Sequence, residues 1–291
     1  MNGSIRPRRS VLYMPGSNPR ALEKAKTLPA DGLIFDLEDA VSPDAKAEAR
    51  SLVCAAVADG GYGSRETIIR VNGLATPWGH ADLVAAATSG ADAILIPKVD
   101  SADGVRQVLA VLDGAGGARD LPVWAMMETA YGMLHAEEIA ASSPRMTCFV
   151  MGTSDLAKEL HAAHTNLRLP MITALGLCML AGRAHGLSLL DGVYLDLSDE
   201  EGCDASCHHG AELGFDGKTL IHPKQITPAN EAFAPSEADL ARAKKIILAH
   251  EKATAEGKGV VLVDGKLVEN LHVEDAKRQV RLAEVIAALA G

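Results

Sequence analysis

Eight short apolar runs, rich in β-branched residues and bounded by glycine and proline, limit most strongly how this chain can fold. They read SVLYM (10–14), GLIFDL (32–37), TIIRV (67–71), AILIP (93–97), PVWAMM (122–127), MTCFVMG (146–152), LSLLDGV (187–193) and KTLIH (218–222). Runs that are hydrophobic throughout suit parallel strands buried on both faces. Helical segments lie between them. Two carry clear start signals, Ser17 or Asn18 before Pro19 and Ser42 before Pro43, each offering a capping side chain with proline in the first turn. Eight strands alternating with helices predict an α/β fold, a (β/α)8 TIM barrel. A doubly wound open sheet is the competing arrangement, but no G-x-G-x-x-G follows a strand here, so its dinucleotide-binding form lacks its main signal.

The pattern changes after residue 225. PSEADLARAKKIILAHEKATAEGKG (235–259) reads as a long amphipathic helix with a glycine stop. VVLVDGKLVE (260–269) is two short runs joined by Asp264-Gly265, a strong two-residue hairpin signal. NLHVEDAKRQVRLAEVIAALAG (270–291) closes as another helix. The expected division is a catalytic barrel over 1–225 and a helix-hairpin-helix extension over 226–291, serving as a lid or an oligomer contact. An isolated hairpin is marginal in water, so this one is expected to dock on something, such as a neighbouring subunit's barrel.

Charge narrows the function. The net charge is -10 and aromatic residues are 3% of 291, which argues against nucleic acid as a main partner, because neutralising phosphates needs a basic surface. No apolar run is long enough to cross a membrane, and the N-terminus has too few apolar residues before Pro15 for a signal-peptide core. The five cysteines are loosely spaced, as free thiols in a reducing compartment would be. The expected location is cytoplasmic.

Nearly every run after the first ends in a polar or charged residue: Asp36, Glu38 and Asp39; Arg70 with Asn72; Lys98; Glu128; Asp155; Asp191; His222. In a TIM barrel the strand C-termini converge on the catalytic mouth. So many acids at one mouth repel one another unless cations intervene, and a divalent metal with Arg70 and Lys98 nearby would relieve that repulsion. Each residue also has a structural reading. Glu128 and Asp155 could cap helices, Lys98 could close a surface salt bridge, His222 could be packed at the surface, and Asp191 could be purely structural. Asp36, Glu38 and Asp39 could hold metal waters, orient Arg70 or Lys98, or serve as ion-pair partners. Arg20, Lys24 and Lys26 form either a solvated helix face or an anion site near a helix N-terminus. Trp78 reads as packing. CDASCHH (203–209) resembles a zinc cluster, but it lacks the usual second ligand pair and reads more simply as a helix with buried cysteines.

Several stretches together resemble the HpcH/HpaI aldolase superfamily, in its citrate lyase β-subunit-like and malyl-CoA lyase branch. They are RSVLYMPGSNPRALEKA, GLIFDLEDAV, RVNG, ILIPKV, META, MGTSDLA and GFDGKTLIHP, spanning residues 9–223, with DGKLVENLHVEDA as a closing segment. The resemblance implies a (β/α)8 barrel assembled as a trimer or hexamer, Mg²⁺ as cofactor, and acyl-CoA and a small 2-oxo acid as reaction partners. The activity it implies is carbon–carbon cleavage of a 3-hydroxyacyl-CoA dicarboxylate, such as malyl-CoA or citramalyl-CoA, to acetyl-CoA or propionyl-CoA and a 2-oxo acid. A malyl-CoA thioesterase using the same site, or a citrate lyase-like β subunit acting with an acyl-carrier partner, are the alternatives. By the same resemblance, Glu128 and Asp155 match metal ligands, and Arg70 matches the residue that holds the substrate oxygens. Tyr13, Arg20, Lys24, Gly152 and Thr153 are the substrate- and CoA-binding candidates. Glu38 is expected behind the metal ligands, orienting them. Glu269 stands where many members of the family carry aspartate as the acid that handles the proton, a departure that bears on lyase against hydrolase chemistry.

Overall fold

The structure is a computed structural model and describes residues 6–255, 257 and 260–290. The eight apolar runs form eight strands: β1 (Ser10–Pro15), β2 (Gly32–Asp36), β3 (Glu66–Arg70), β4 (Ala93–Ile96), β5 (Val123–Met127), β6 (Met146–Met151), β7 (Ser188–Asp191) and β8 (Gly217–Leu220). They pair in chain order into a closed barrel, with every pairing parallel and β1 closing on β8. Helices lie between the strands, so the fold is the (β/α)8 barrel and not the open sheet.

Side-chain alternation decides what reaches the mouth. Val11, Ile34, Ile68, Ala93, Leu95, Trp124, Met126, Cys148, Val150 and Leu190 form one buried cluster, with Tyr13 packed against it. Successive strand residues face opposite sides. Continuing the same rows by two residues brings Asp36 after Ile34, Arg70 after Ile68, Glu128 after Met126 and Gly152 after Val150. The register agrees, pairing Ile34 with Ile68 and Asp36 with Arg70. The rows that fill the barrel therefore end in charge where the strands end.

The capping signals are realised in part. Asn18 rather than Ser17 caps the helix Pro19–Ala25, accepting from the Arg20 and Ala21 amides, with Pro19 in the first turn. Ser42 makes no capping bond; there the chain enters through a 3-10 turn, Pro43–Ala45, before the helix Lys46–Asp59.

Asp191 is a structural residue. It is fully buried, bonded to Lys218 Nζ at 2.9 Å and paired with Arg168 Nη1. Burial alone would raise its carboxyl, but Lys218 and Arg168 outweigh this and hold it below the ordinary range.

The described residues divide into two compact units, 8–232 and, apart from it, 6–7 with those from 233 onward. The helix Ile226–Ala232 goes with the barrel unit. Its Asn230 is bonded to Ser10 Oγ at 2.7 Å and to the Pro29 carbonyl at 2.9 Å, so the structural division follows Ala232, where the sequence places it at 225. The second unit holds the helices Glu237–Ala255 and Asn270–Ala290 and the antiparallel hairpin of β9 (Val261–Val263) and β10 (Lys266–Val268). Asp264 and Gly265 both have positive φ, 48° and 77°, as a two-residue hairpin turn of the twisted kind requires. Val268 packs with Ala243, Ile246, Val273 and Ala276, and Val261 and Val263 lie against them. The hairpin thus docks on its own flanking helices.

Replacing Lys218 with methionine leaves the buried Asp191 with one cation. The variant is expected to lose about 3–5 kcal/mol, the usual cost of breaking a buried ion pair from one side. The midpoint of urea unfolding checks this; a change below about 1 kcal/mol would show the pair to be dispensable.

Candidate active site

Arg70 is at the centre of the mouth. Its Nε and Nη2 grip Asp36 at 2.7 and 2.6 Å, a two-pronged match of guanidinium to carboxylate. Its Nη1 lies 2.9 Å from Glu38 Oε2 and 3.6 Å from Asp39, and its guanidinium carbon sits 4.9 Å above the Tyr13 ring. The fork that sequence reasoning reserves for a ligand is thus filled by Asp36, and the remaining Nη1 faces Glu38. Burial would weaken the charge on Arg70, but Tyr13, Asp36 and Glu38 more than compensate, and its pKa is raised. Burial likewise pushes the Tyr13 phenol up, against the pull of Arg70, so it stays protonated.

Glu38 bridges two cations. Its Oε1 accepts from Lys98 Nζ at 2.7 Å, and its Oε2 faces Arg70 without an aligned hydrogen bond. Burial raises its pKa, opposed by Arg70 and Lys98. Its loop is fixed from beneath by Lys46, whose buried ammonium donates to the Leu37 and Glu38 carbonyls at 2.8 and 2.7 Å and lies 5.3 Å from the centre of the Trp78 ring. Trp78 therefore packs, and it packs on the residue that supports the acidic loop.

Glu128 is almost fully buried. It caps no helix: Thr129 does that for Ala130–Leu134. Glu128 Oε1 instead accepts the Lys98 backbone N–H at 2.8 Å. Burial, with Glu38 and Asp155 adding to it against the pull of Lys98, pushes its carboxyl up to about 8. Gly152 makes room for it, since a Cβ there would come within 2.4 Å of the Glu128 Cβ and 2.6 Å of Oε2. Asp155 lies in the first turn of the helix Thr153–Glu159, whose N-cap is Gly152, and is partly exposed. Lys98 Nζ sits 3.9 Å from Glu128 and 3.8 Å from Asp155.

These residues fit a hard divalent cation. The ammonium of Lys98 stands within 4 Å of three acids, where an ion would be drawn. Among the described residues no group of three or more His, Cys, Asp or Glu could hold a metal ion. Two protein carboxylates, with water and substrate oxygens completing the shell, match the habit of Mg²⁺, which keeps several waters.

The remaining candidates are placed differently. Arg20 and Lys24 are exposed on the helix Pro19–Ala25. Thr153 is buried, its hydroxyl 2.5 Å from where a Cβ on Gly192 would stand, so it is a packing contact that requires glycine opposite. His222 caps the turn Pro223–Gln225, accepting from Lys224 N–H at Nδ1. Cys203 and Cys207 are buried on one face of the helix Glu200–Glu212. Glu269 lies in the second unit, just before the helix Asn270–Ala290. Asp36, named among the strand-end acids with orienting Arg70 as one of its readings, does orient Arg70, whereas Lys46 escaped the candidate list. Lys46 reads in sequence as one more solvated helix lysine.

A pH dependence follows for the metal-free chain. Glu128 titrates near 8 when folded, against 4.5 as a free side chain. Between those values the folded state keeps a proton that the unfolded state has lost. Stability from this group is therefore full below the unfolded value and is lost as pH rises through 8. The melting temperature of wild type, stripped of metal, is expected to decline from pH 5 to 8.5 more steeply than that of Glu128→Gln. Equal slopes would show that Glu128 is ionised throughout.

Comparison with known proteins places the chain. The model of the HpcH/HpaI aldolase/citrate lyase family matches residues 9–223. A (3S)-malyl-CoA thioesterase of Cereibacter sphaeroides is 55% identical over 282 residues, covering 97% of this chain and 96% of the relative. An L-malyl-CoA/beta-methylmalyl-CoA lyase of the same species is 36% identical, with 97% and 96% covered. The crystal structure of the Mycobacterium tuberculosis protein CitE in complex with magnesium, acetoacetate and coenzyme A superposes with a TM-score of 0.78 at 28% identity, covering 96% of this chain and all of that one. From the extent of these matches and the closed barrel with its strand-end acids, the chain belongs to the HpcH/HpaI aldolase/citrate lyase family.

Proposed function

We propose that this protein is a Mg²⁺-dependent thioesterase acting on a CoA thioester of the malyl-CoA class, at the barrel mouth. The observation that carries the reading is 55% identity across 97% of the chain to a malyl-CoA thioesterase, against 36% to a malyl-CoA lyase. The same mouth serves the lyase reading, which is the second function and is supported by the relative at 36%. Both share the substrate class and differ in which bond breaks.

Glu128 and Asp155 hold the ion in this proposal. Bound there, Mg²⁺ supplies Lewis-acid polarisation and a docking point for a carboxylate and its neighbouring hydroxyl. Arg70, fixed by Asp36 on one edge, facing Glu38 through Nη1 and stacked on Tyr13, sets a fixed positive charge beside oxygen charge that develops during reaction, and its rigidity keeps reorganisation small. Glu38 holds Arg70 and Lys98 in register. Arg20, in the first turn of the helix Pro19–Ala25, and Lys24, in its last, are both exposed and suit the phosphates of CoA. In hydrolysis, water attacks the thioester carbonyl, a C–O bond forms, the C–S bond breaks, and CoA leaves as the thiol. Glu269 is proposed as the base that takes the proton from that water, supplied by a neighbouring subunit of a homo-oligomer.

Incubating the purified chain with malyl-CoA and Mg²⁺ and following both product pairs tests this. Free CoA and malate are expected, with little acetyl-CoA or glyoxylate. Glu269→Gln is expected to retain binding of the thioester and lose turnover by about 10²-fold, within the range for a general base. Acetyl-CoA with glyoxylate as the main products would establish the lyase instead, and full turnover in Glu269→Gln would remove that residue from the chemistry.

A further inference from the structure

Lys98 occupies an unusual position for a lysine. It follows β4 and Pro97 with φ at +50°, the left-handed region that non-glycine residues enter rarely and that gathers at functional sites. Two separate groups of this one residue serve the acids. Its backbone N–H fixes Glu128 Oε1 at 2.8 Å, while its ammonium bonds to Glu38 at 2.7 Å and stands 3.9 and 3.8 Å from Glu128 and Asp155. The ammonium can therefore withdraw without releasing Glu128, because the backbone holds that carboxylate independently. The side chain is about half exposed, so it has solvent to move into and Glu38 as a continuing partner.

We infer that Lys98 is the resident counter-cation of the mouth: its ammonium holds Glu38, Glu128 and Asp155 together in the metal-free chain and yields the space between Glu128 and Asp155 to a divalent ion. The displacement rests on the metal reading above, whereas the holding role does not. Two cations cannot share that space, since like charges within 4 Å repel even at intermediate dielectric. Lys98 is thus a positioning residue that keeps the ligands assembled, and it also sets how tightly they take the metal.

Metal-stripped, full-length Lys98→Met and Lys98→Arg test this. Without metal, Lys98→Met is expected to melt about 3 °C or more below wild type. Its Mg²⁺ affinity, by calorimetric titration, should be tighter by about tenfold, because the competing charge is gone. Lys98→Arg should restore the metal-free melting temperature and bind Mg²⁺ more weakly than Lys98→Met does. A wild-type melting temperature in metal-free Lys98→Met, or weaker Mg²⁺ binding by it, overturns the proposal. Lysine acetylation of the wild-type chain, read by peptide mass spectrometry, needs no variant. Labelling of Lys98 should rise when Mg²⁺ is added, while that of Lys245 stays constant. Equal labelling of Lys98 with and without bound Mg²⁺ overturns the displacement. If wild type takes up no Mg²⁺ at all, the metal reading fails, and the metal-free melting temperatures alone decide the holding role.

Discussion

The paired fork between Arg70 and Asp36 is the interaction on which the mouth depends. Both groups are buried, and neither charge survives there alone, because an unpaired buried ion is expensive. Adjacent strands deliver them in register, so closing the barrel and neutralising the pair are one event. Once Asp36 has fixed Arg70, the guanidinium has one edge left, and Glu38 and Asp39 gather at it. The surplus of acid then passes to Lys98, and from Lys98 to Glu128 and Asp155. A divalent ion is the natural end of that chain of charges.

Much of the fold was legible in sequence because it follows from period and punctuation. Runs such as AILIP and PVWAMM are apolar throughout, and only a strand buried on both faces needs that. The same alternation that buries Ile34 and Ile68 points Asp36 and Arg70 into the mouth, so the acids and the arginine could be named from the ends of the runs. What escaped sequence reasoning depends on partners far apart in the chain. Nothing in KAEARS marks Lys46 as the support of the Glu38 loop, since its bonds are to backbone carbonyls. Asp155 beside Ser154 reads as a cap, but Gly152 takes that position because the space it leaves is filled by Glu128. The hairpin was legible from Asp264-Gly265, yet its docking partners are the helices on either side of it.

Relatives of this chain in one family carry the names of a malyl-CoA thioesterase and of a malyl-CoA lyase. In the proposal, hydrolysis and carbon–carbon cleavage both draw on the same cluster of Asp36, Glu38, Arg70, Glu128 and Asp155. Which bond breaks depends on where the proton goes, and the proposal assigns that to Glu269.

The account stands most directly on where a divalent ion sits. Crystals of the chain soaked in Mn²⁺, a stand-in for Mg²⁺ with a usable anomalous signal, would locate it in an anomalous difference map. One strong peak is expected beside the Glu128 and Asp155 carboxylates, with the Lys98 ammonium withdrawn toward Glu38. A peak elsewhere in the barrel, or none at the mouth under saturating ion, would contradict it.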